Sequence, residues 1–562
     1  MIIYLIIILV TTFILMLPGV IIRDSFFNIN NNNPSSNLLF FFLIGYNFFS
    51  LLSGYTSLFI PVDRIFLFCI LFFFTIYLIL NRISFLINFK KLKYLNKSNV
   101  IILIVISMFI SFFGAIGIKN FDSFLYHVQS IKWISEFPVV PGLGNIHGRF
   151  AFNSMFFPIS SLFSLNLVGQ KEWLIFPLNS ALFLIFLLWQ YFNLKKSLKE
   201  DDRAKVLFIL VMVFLPFIYL LKRVSSPTPD FPCAILGMIV LQWIVFERNN
   251  DDSNKRIIII GTIITTITFK LSFVPMLVLI PLFLLKRNWL IDITKIFFMG
   301  ILISLPFLIR NYFISGFLFY PFLKLDIFNP DWKIPDSLVK VEADYIKAWA
   351  IRPDIINTKE TLEMSVFEWF PSWFMGMDHL MKILLLICVL FLISCITAFL
   401  LRKNGPDIKW VFFLGVAFLF WFVQAPDPRF IFGIIFFTVA YFVYWFTKSL
   451  IVFFPNGNFK IIILTLTLVF GFLGFTNSIY YKMSLSYKEN LSQFVFPSAF
   501  YNDFEQPIIK EYESPFRYFA PDRNECCFNA PLPCATGVFK ENLEMRGTTL
   551  ADGFRVRKKE AN

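Results

Sequence analysis

Charge is scarce in this chain: 50 Lys or Arg and 36 Asp or Glu among 562 residues, 15% in all. Soluble proteins carry about 25%, so an ordinary soluble domain is excluded. Histidine is scarcer still, with three residues in the whole sequence. The cysteines crowded near the C-terminus, Cys526, Cys527 and Cys534, form no C-x-x-C pair and have no histidine nearby, which argues against zinc. Also missing are a Walker loop, G-x-S-x-G, H-E-x-x-H and a dinucleotide fingerprint, which disfavours an energy-coupled pump or a soluble-type hydrolase. No internal repeat is evident, inverted or parallel.

What is present is apolar. Hydrophobic residues make up 57% of the chain, and Phe alone occupies 78 positions; most of these aromatics read as lipid-facing or packing residues. Apolar runs approaching the roughly 20 residues needed to cross a hydrocarbon core recur at 1–22, 38–60, 64–82, 99–117, 173–194, 205–221, 231–247, 257–270, 272–286, 290–309, 380–401, 409–423, 429–447 and 460–478. The expected fold is all-α, a polytopic transmembrane helix bundle of about 12–14 spans. The first run lacks a basic n-region and an A-x-A-like site, so it reads as a retained span, not a cleaved signal peptide. Cys69, Cys233, Cys388 and Cys395 lie in apolar runs, where a thiol behaves as a small hydrophobe.

The net charge of +14 does not imply nucleic acid, because much of it falls in short loops that the positive-inside rule assigns to the cytoplasm. These loops carry Arg82, Lys90, Lys91, Lys93 and Lys97, then Lys195, Lys196, Lys199 and Arg203, then Arg402 and Lys403. Lys286, Arg287 and the loop 251–256 read as further cytoplasmic anchors. The polar stretches 118–151 and 310–379, and the tail from 481, then face outward. A crossing by 152–167 would invert the loop at 195–203, so that piece, broken by Pro158, Ser160, Ser161 and Ser164, is expected to be re-entrant or interfacial. Three regions follow: N-terminal spans and a basic loop (1–98), a membrane domain (99–480, outer loops 118–172 and 310–379), and a small globular appendage (481–562). A local disulfide closing on Cys534 fits an oxidising compartment.

The segment 118–157 concentrates Asp122, Tyr126, His127, Lys132, Glu136, His147 and Arg149 between apolar runs, where charge is costly unless it serves a site or faces water. Asp122 is the candidate general base, and a helix begun there puts Tyr126 on the same face and His127 slightly round it. The plainer alternative makes Asp122 an N-cap. Lys270 in TITFKLSF, Arg310 and Asn311 in LIRNYFISG, and Asp427 and Arg429 in QAPDPRF stand at outer span ends. Converging cations there suit a lipid-linked phosphate, Arg by a bidentate fork; taken singly, each is more commonly explained by snorkelling to headgroups. Asp230, in SSPTPDFPC, reads first as an N-cap and second as a site residue.

These strings, in this order, resemble bacterial integral-membrane glycosyltransferases of the GT-C superfamily. The matching pieces are D-x-x-x-Y-H at Asp122–His127, a Pro/Gly/Asn-rich turn, F-N-x-x-F-F-P at 152–158, T-F-K-L-S, R-N-Y-F-I-S-G-F-L-F-Y-P and P-D-P-R-F. The tail C-F-N-A-P-L-P-C is similar to an ending in one uncharacterised bacterial branch, and makes Cys527 and Cys534 the candidate pair. The resemblance runs from about residue 99 to the end. It departs from the pattern in Ser123, where a second acid is common, and in Gly316-Phe317-Leu318, where G-N-P is usual.

The resemblance implies a polyprenyl-phosphate-sugar donor, a glycan, lipid or protein acceptor, and catalysis on the outer face of the bacterial inner membrane. Asp122 would deprotonate the acceptor and His127 orient it or touch phosphate. Tyr126, Arg149, Asp230, Lys270, Arg310, Asn311 and Arg429 would bind substrate. A divalent cation, Mg or Mn, is compatible, without an identified ligand set. The alternatives are a flippase for lipid-linked glycans, a glycan polymerase or ligase, and a non-catalytic scaffold of the same fold.

Overall fold

The computed structural model describes residues 1–26, 34–80, 97–115, 117–118, 120–167, 173–248, 253–285, 289–353, 357–401, 405–453, 508–513, 516–522, 526–535 and 542–557. The expected span 460–478 and the basic residues at 82–93, 286–287 and 402–403 lie outside them.

The chain is mostly helical. Helices α1 (Ile2–Phe26), α2 (Pro34–Thr56), α3 (Arg64–Leu80) and α4 (Lys97–Gly114) come first. A π-helical turn, Ser123–His127, runs directly into α5 (Val128–Glu136), followed by α6 (Phe156–Phe163). An antiparallel hairpin, β1 (Leu165–Leu167) with β2 (Trp173–Ile175), leads to α7 (Leu178–Lys199), α8 (Arg203–Tyr219), α9 (Asp230–Phe246) and α10 (Ser253–Phe269). Helix α11 (Trp289–Ser315) precedes the shorter helices α12 (Asp336–Ile351), α13 (Thr358–Glu363) and α14 (Val366–Gly376). Helices α15 (His379–Leu400), α16 (Lys409–Gln424) and α17 (Phe432–Phe453) complete the bundle. Two short hairpins end the described chain, β3 (Ile509–Tyr512) with β4 (Tyr518–Pro521) and β5 (Leu543–Met545) with β6 (Phe554–Val556).

Among the described residues, six helices are long and apolar enough to cross a membrane: α1, α2, α4, α11, α15 and the one running from Pro428 through α17. Helices α3, α9 and α16 and the segment Leu271–Leu284 are shorter and apolar. The expected count of about 12–14 spans includes such shorter runs, and one of them, 460–478, lies outside the described residues. Within the expected span 272–286, the described residues form a 3₁₀ segment (Leu271–Val278) and a π turn (Ile280–Leu284), with Pro275 and Pro281, rather than a regular helix. Expected span 173–194 begins as a β-strand and becomes helical only at Leu178. Helix α7 is diluted by buried polar groups because it sits at the centre: the Gln190 and Gln242 amides bond reciprocally at 2.7 and 3.1 Å, joining it to α9. The piece 152–167 does not cross. Its helix α6 has eight residues, all buried, about 12 Å at 1.5 Å per residue.

One continuous core runs from Met1 through Ala440. The first spans belong to it: the Tyr4 hydroxyl meets the Ser180 hydroxyl at 2.8 Å, Val62 N–H donates to the Ile134 carbonyl, and Val139 N–H to that of Ser57. The tail is equally integrated. Tyr518 and Phe554 share a second core with Trp133, Val140, Phe150 and Phe317, so the described part of 481–562 packs directly on those segments. Gly142 shows how close the contact is. It has φ +66°, and a Cβ there would lie 2.0 Å from the Phe554 carbonyl oxygen, so only glycine fits without a shift.

Candidate functional site

Four loops meet at one end of the bundle, each pinned by its own backbone. Asp122 opens the π turn after α4; the turn is amphipathic enough to bury Phe124 and His127 while Asp122 remains partly accessible. The expected N-cap role is corrected. Asp122 makes no cap bond, and its carboxylate instead accepts from Arg429 Nη1 at 3.1 Å.

Arg429 is held in place by the P-D-P-R-F loop. Asp427 Oδ1 caps the Arg429 N–H at 2.9 Å, and Asp427 Oδ2 pairs with its Nε at 2.7 Å. Trp421 Nε1 donates to the Asp427 carbonyl at 2.7 Å, and Trp373 Nε1 to that of Pro426 at 3.0 Å. The guanidinium also lies 4.7 Å from the Trp349 ring centroid. A planar, delocalised cation suits this pair of acids and aromatic face in a way a lysine does not.

Lys270 follows the last residue of α10 in an extended conformation. The F-N-x-x-F-F-P piece fixes that helix end: Ser154 Oγ donates to the Phe269 carbonyl at 2.8 Å and Met155 N–H to that of Thr268. The Lys270 ammonium pairs with Asp230 and lies 3.9 Å from the Phe430 ring centroid. Asp230 is the first residue of α9, makes no cap bond and is only 6% exposed, so its expected capping role is corrected as well.

These groups line one cavity of about 390 Å³. Of the nine residues singled out for catalysis or substrate binding, eight face it: Asp122, Tyr126, His127, Arg149, Asp230, Lys270, Asn311 and Arg429. Arg310 does not. It is expected at a span end beside Asn311, but both lie inside the last turns of α11. Arg310 is not among the lining residues; it donates to the Ser57 carbonyl and hydroxyl at 3.3 and 2.9 Å and, at 3.4 Å, to Asn153 Oδ1, which belongs to a residue that does line the cavity. It ties α11 to the end of α2 and is corrected to a structural residue.

The electrostatics give each group a definite state. Burial pushes the Asp122 carboxyl up, but the Arg429 guanidinium, aided by Arg149, outweighs it and holds the carboxyl below its ordinary range. Burial pushes His127 down to about 4, so it is a neutral imidazole at neutral pH, its Nδ1 3.1 Å from the Ser123 hydroxyl. Burial and the neighbouring Asp122 charge push the Tyr126 phenol up, and it stays protonated. His147 is also pushed to about 4 by burial; its Nδ1 accepts from the Arg149 N–H and caps a 3₁₀ turn.

Sequence reasoning missed the wall supplied by α12. Glu342 pairs with Arg149 at 2.6 Å, and Asp344, Ile346 and Lys347 line the cavity with Tyr320. Burial raises the Glu342 carboxyl despite Arg149. One signal was available: Glu342 lies on the same helical stripe as Val339, Ile346 and Ala350, and a carboxylate on an apolar stripe needs a partner. No group of three His, Cys, Asp or Glu among the described residues is arranged to hold a metal ion. Of the cavity's acids, Asp122 is engaged by Arg429 and Asp230 by Lys270.

The π turn is clamped from outside by the tail. The Phe528 N–H donates to the Phe124 carbonyl, and their rings stack at 4.9 Å. Gln129 Nε2 donates to the Phe528 and Ala530 carbonyls at 3.0 Å each, and Lys132 Nζ to those of Asn529 and Ala530. The Cys527–Cys534 disulfide closes this loop.

The chain belongs to the family described as domain of unknown function (DUF8201), whose model matches residues 1–436. Every cavity-lining residue lies within that match, whereas the disulfide loop lies beyond it. No curated protein and no solved structure matches the chain.

Proposed function

We propose that this chain is a membrane glycosyltransferase that moves a sugar from a polyprenyl-phosphate carrier to an acceptor hydroxyl on the outer face of the inner membrane. The observation that carries this reading is the convergence of Asp122, Arg429, Lys270 and Asp230 in one cavity, from four separate stretches of the chain.

In this reading Asp122, ionised at neutral pH, takes the proton of the acceptor hydroxyl within hydrogen-bond reach. The acceptor oxygen bonds to the anomeric carbon while the bond from that carbon to the phosphate oxygen breaks. The electron pair leaves on the lipid phosphate, where Arg429 and Lys270 balance the developing charge. Binding of the phosphate competes with Asp122 for Arg429. As the guanidinium turns to phosphate, the force depressing the Asp122 carboxyl weakens and the carboxylate becomes a better base. Neutral His127 acts as a hydrogen-bonding neighbour, not as a cation. Tyr126, Trp421 and Tyr320 offer rings of the kind that pack on a sugar.

The outer-face placement is supported by the Cys527–Cys534 disulfide. Disulfides persist in oxidising compartments, and this one is bonded to the turn that begins after Asp122.

The test is a mass profile of surface glycans from a deletion strain complemented with wild type or Asp122→Asn at matched protein levels. The reading expects wild type to restore a missing sugar and the variant not to. Equal restoration by both would remove Asp122 from the chemistry and overturn the mechanism.

A further inference from the structure

A second cavity, of about 650 Å³, lies on the far side of the helix that carries the site. The π turn presents Tyr126 and His127 to the first cavity, and α5, continuing it, presents Val128, Ile131, Lys132 and Ser135 to the second. Helix α6 is shared in the same way: Phe157 faces the first, Ser161 the second. The two spaces are thus separated by one wall of helix.

The lining of the second cavity is amphiphilic by position. Arg64 and Lys132 supply two cations, Asp63 and Glu136 two acids, and Ser135, Ser161 and Ser164 three hydroxyls; Lys132 also donates to the Asn529 and Ala530 carbonyls and lies 4.0 Å from Glu136. On the other side stand Ile65 and Phe68, which line the cavity yet are 70% and 67% exposed. The cavity therefore opens along the outward face of α3. That face stays apolar through Phe72, Phe73, Ile76 and Ile79, all exposed, which in a membrane means contact with acyl chains. A headgroup of one sign would meet like charge here. A phosphate beside an ammonium would meet a cation and an acid for each of its ends.

We propose that this cavity is a second binding site, for a zwitterionic phospholipid whose phosphate lies against Arg64 and Lys132, whose ammonium faces Asp63 and Glu136, and whose chains run down α3. The space falls in the usual ligand range of about 300–1,000 Å³. The bound lipid occupies a place distinct from the sugar donor's and touches the helix that positions Asp122 and His127. The assignment does not rest on the transferase reading.

The experiment is native mass spectrometry of the full chain, released from detergent after incubation with equal amounts of phosphatidylethanolamine, phosphatidylglycerol and diacylglycerol carrying identical acyl chains. One phosphatidylethanolamine per chain should survive activation that strips the other two, with at least about tenfold higher occupancy, the scale of one charge-assisted contact. Ser135→Trp, which fills the cavity, should abolish the adduct. Arg64→Glu, at the exposed start of α3, should lower it about tenfold and decides the matter if the tryptophan variant fails to fold. Asp122→Asn should retain it. Equal retention of all three lipids, a preference for phosphatidylglycerol, or an adduct that persists in a folded Ser135→Trp protein would each overturn the proposal.

Discussion

Arg429 donates to Asp122 at 3.1 Å across 307 positions of sequence, and the same guanidinium holds Asp427 at 2.7 Å. One cation thus sets the charge state of the candidate base and the shape of the loop beneath it. Under the transferase reading Asp122→Asn should lower turnover by about 10²–10⁴, the usual contribution of a general base, with substrate affinity changing far less. Single-turnover transfer assays with a lipid-phosphate sugar would separate these effects. Arg429→Lys should also be damaging, because a point charge cannot serve both acids and the Trp349 face.

The Lys270–Asp230 pair should behave as a buried pair, not a surface one. Asp230→Asn or Lys270→Met alone leaves one charge without its partner, and each should cost about 3–5 kcal/mol, while the double variant recovers part of that loss. A double-mutant cycle by thermal denaturation in detergent measures the coupling. A double variant that is stable yet inactive would separate the pair's role in phosphate binding from its role in packing.

Arg310 should be needed for folding and not for chemistry. Arg310→Met leaves Ser57 and Asn153 without their donor, a cost of about 1–3 kcal/mol per buried group left unsatisfied. Lower yield and a lower melting temperature are expected, with unchanged donor KM in the protein that survives. A raised KM at normal stability would return Arg310 to the binding site.

Stability should fall on mild acidification. In the unfolded chain a histidine takes up its proton near about pH 6.5, whereas burial holds His127 and His147 at about 4. Between those values the unfolded state binds more protons, so stability drops as pH falls and levels off below about 4. The loss is roughly 2 kcal/mol per histidine at pH 5. Asp122, held low, adds loss only at more acidic pH. Melting curves from pH 8 to 4.5, with His127→Gln and His147→Gln flattening the slope, check the assignment.

The disulfide loop should act through the π turn it grips. Cys534→Ser and Gln129→Leu each loosen the Phe528 contact and should raise hydrogen exchange across 123–132 while leaving α9 and α10 protected. Under the transferase reading kcat falls and KM holds. Wild-type protein treated with reductant should show the same exchange pattern as Cys534→Ser.

The class of chain and its candidate residues were legible because each has a local signature. A run of apolar residues declares a membrane helix wherever it falls. A charge at the edge of such a run has few explanations, which is why Asp122, Lys270 and Arg429 stood out. The same rule drew in Arg310 wrongly, since a charge near a span end is also what a buried helix tie needs. Glu342 was passed over because α12 is polar enough to look solvated, and its burial comes from Arg149 nearly two hundred residues earlier.

Sequence alone determined the solvent this protein needs and the polar positions that could not be idle in it, because apolar length and the cost of isolated charge are properties of short stretches. Only the tertiary structure decided which of those charges share a cavity and which bind helices together. It also decided that the tail clamps the π turn and that α3 opens onto a second cavity. These are pairings between distant segments, set by packing, and no short stretch contains both partners.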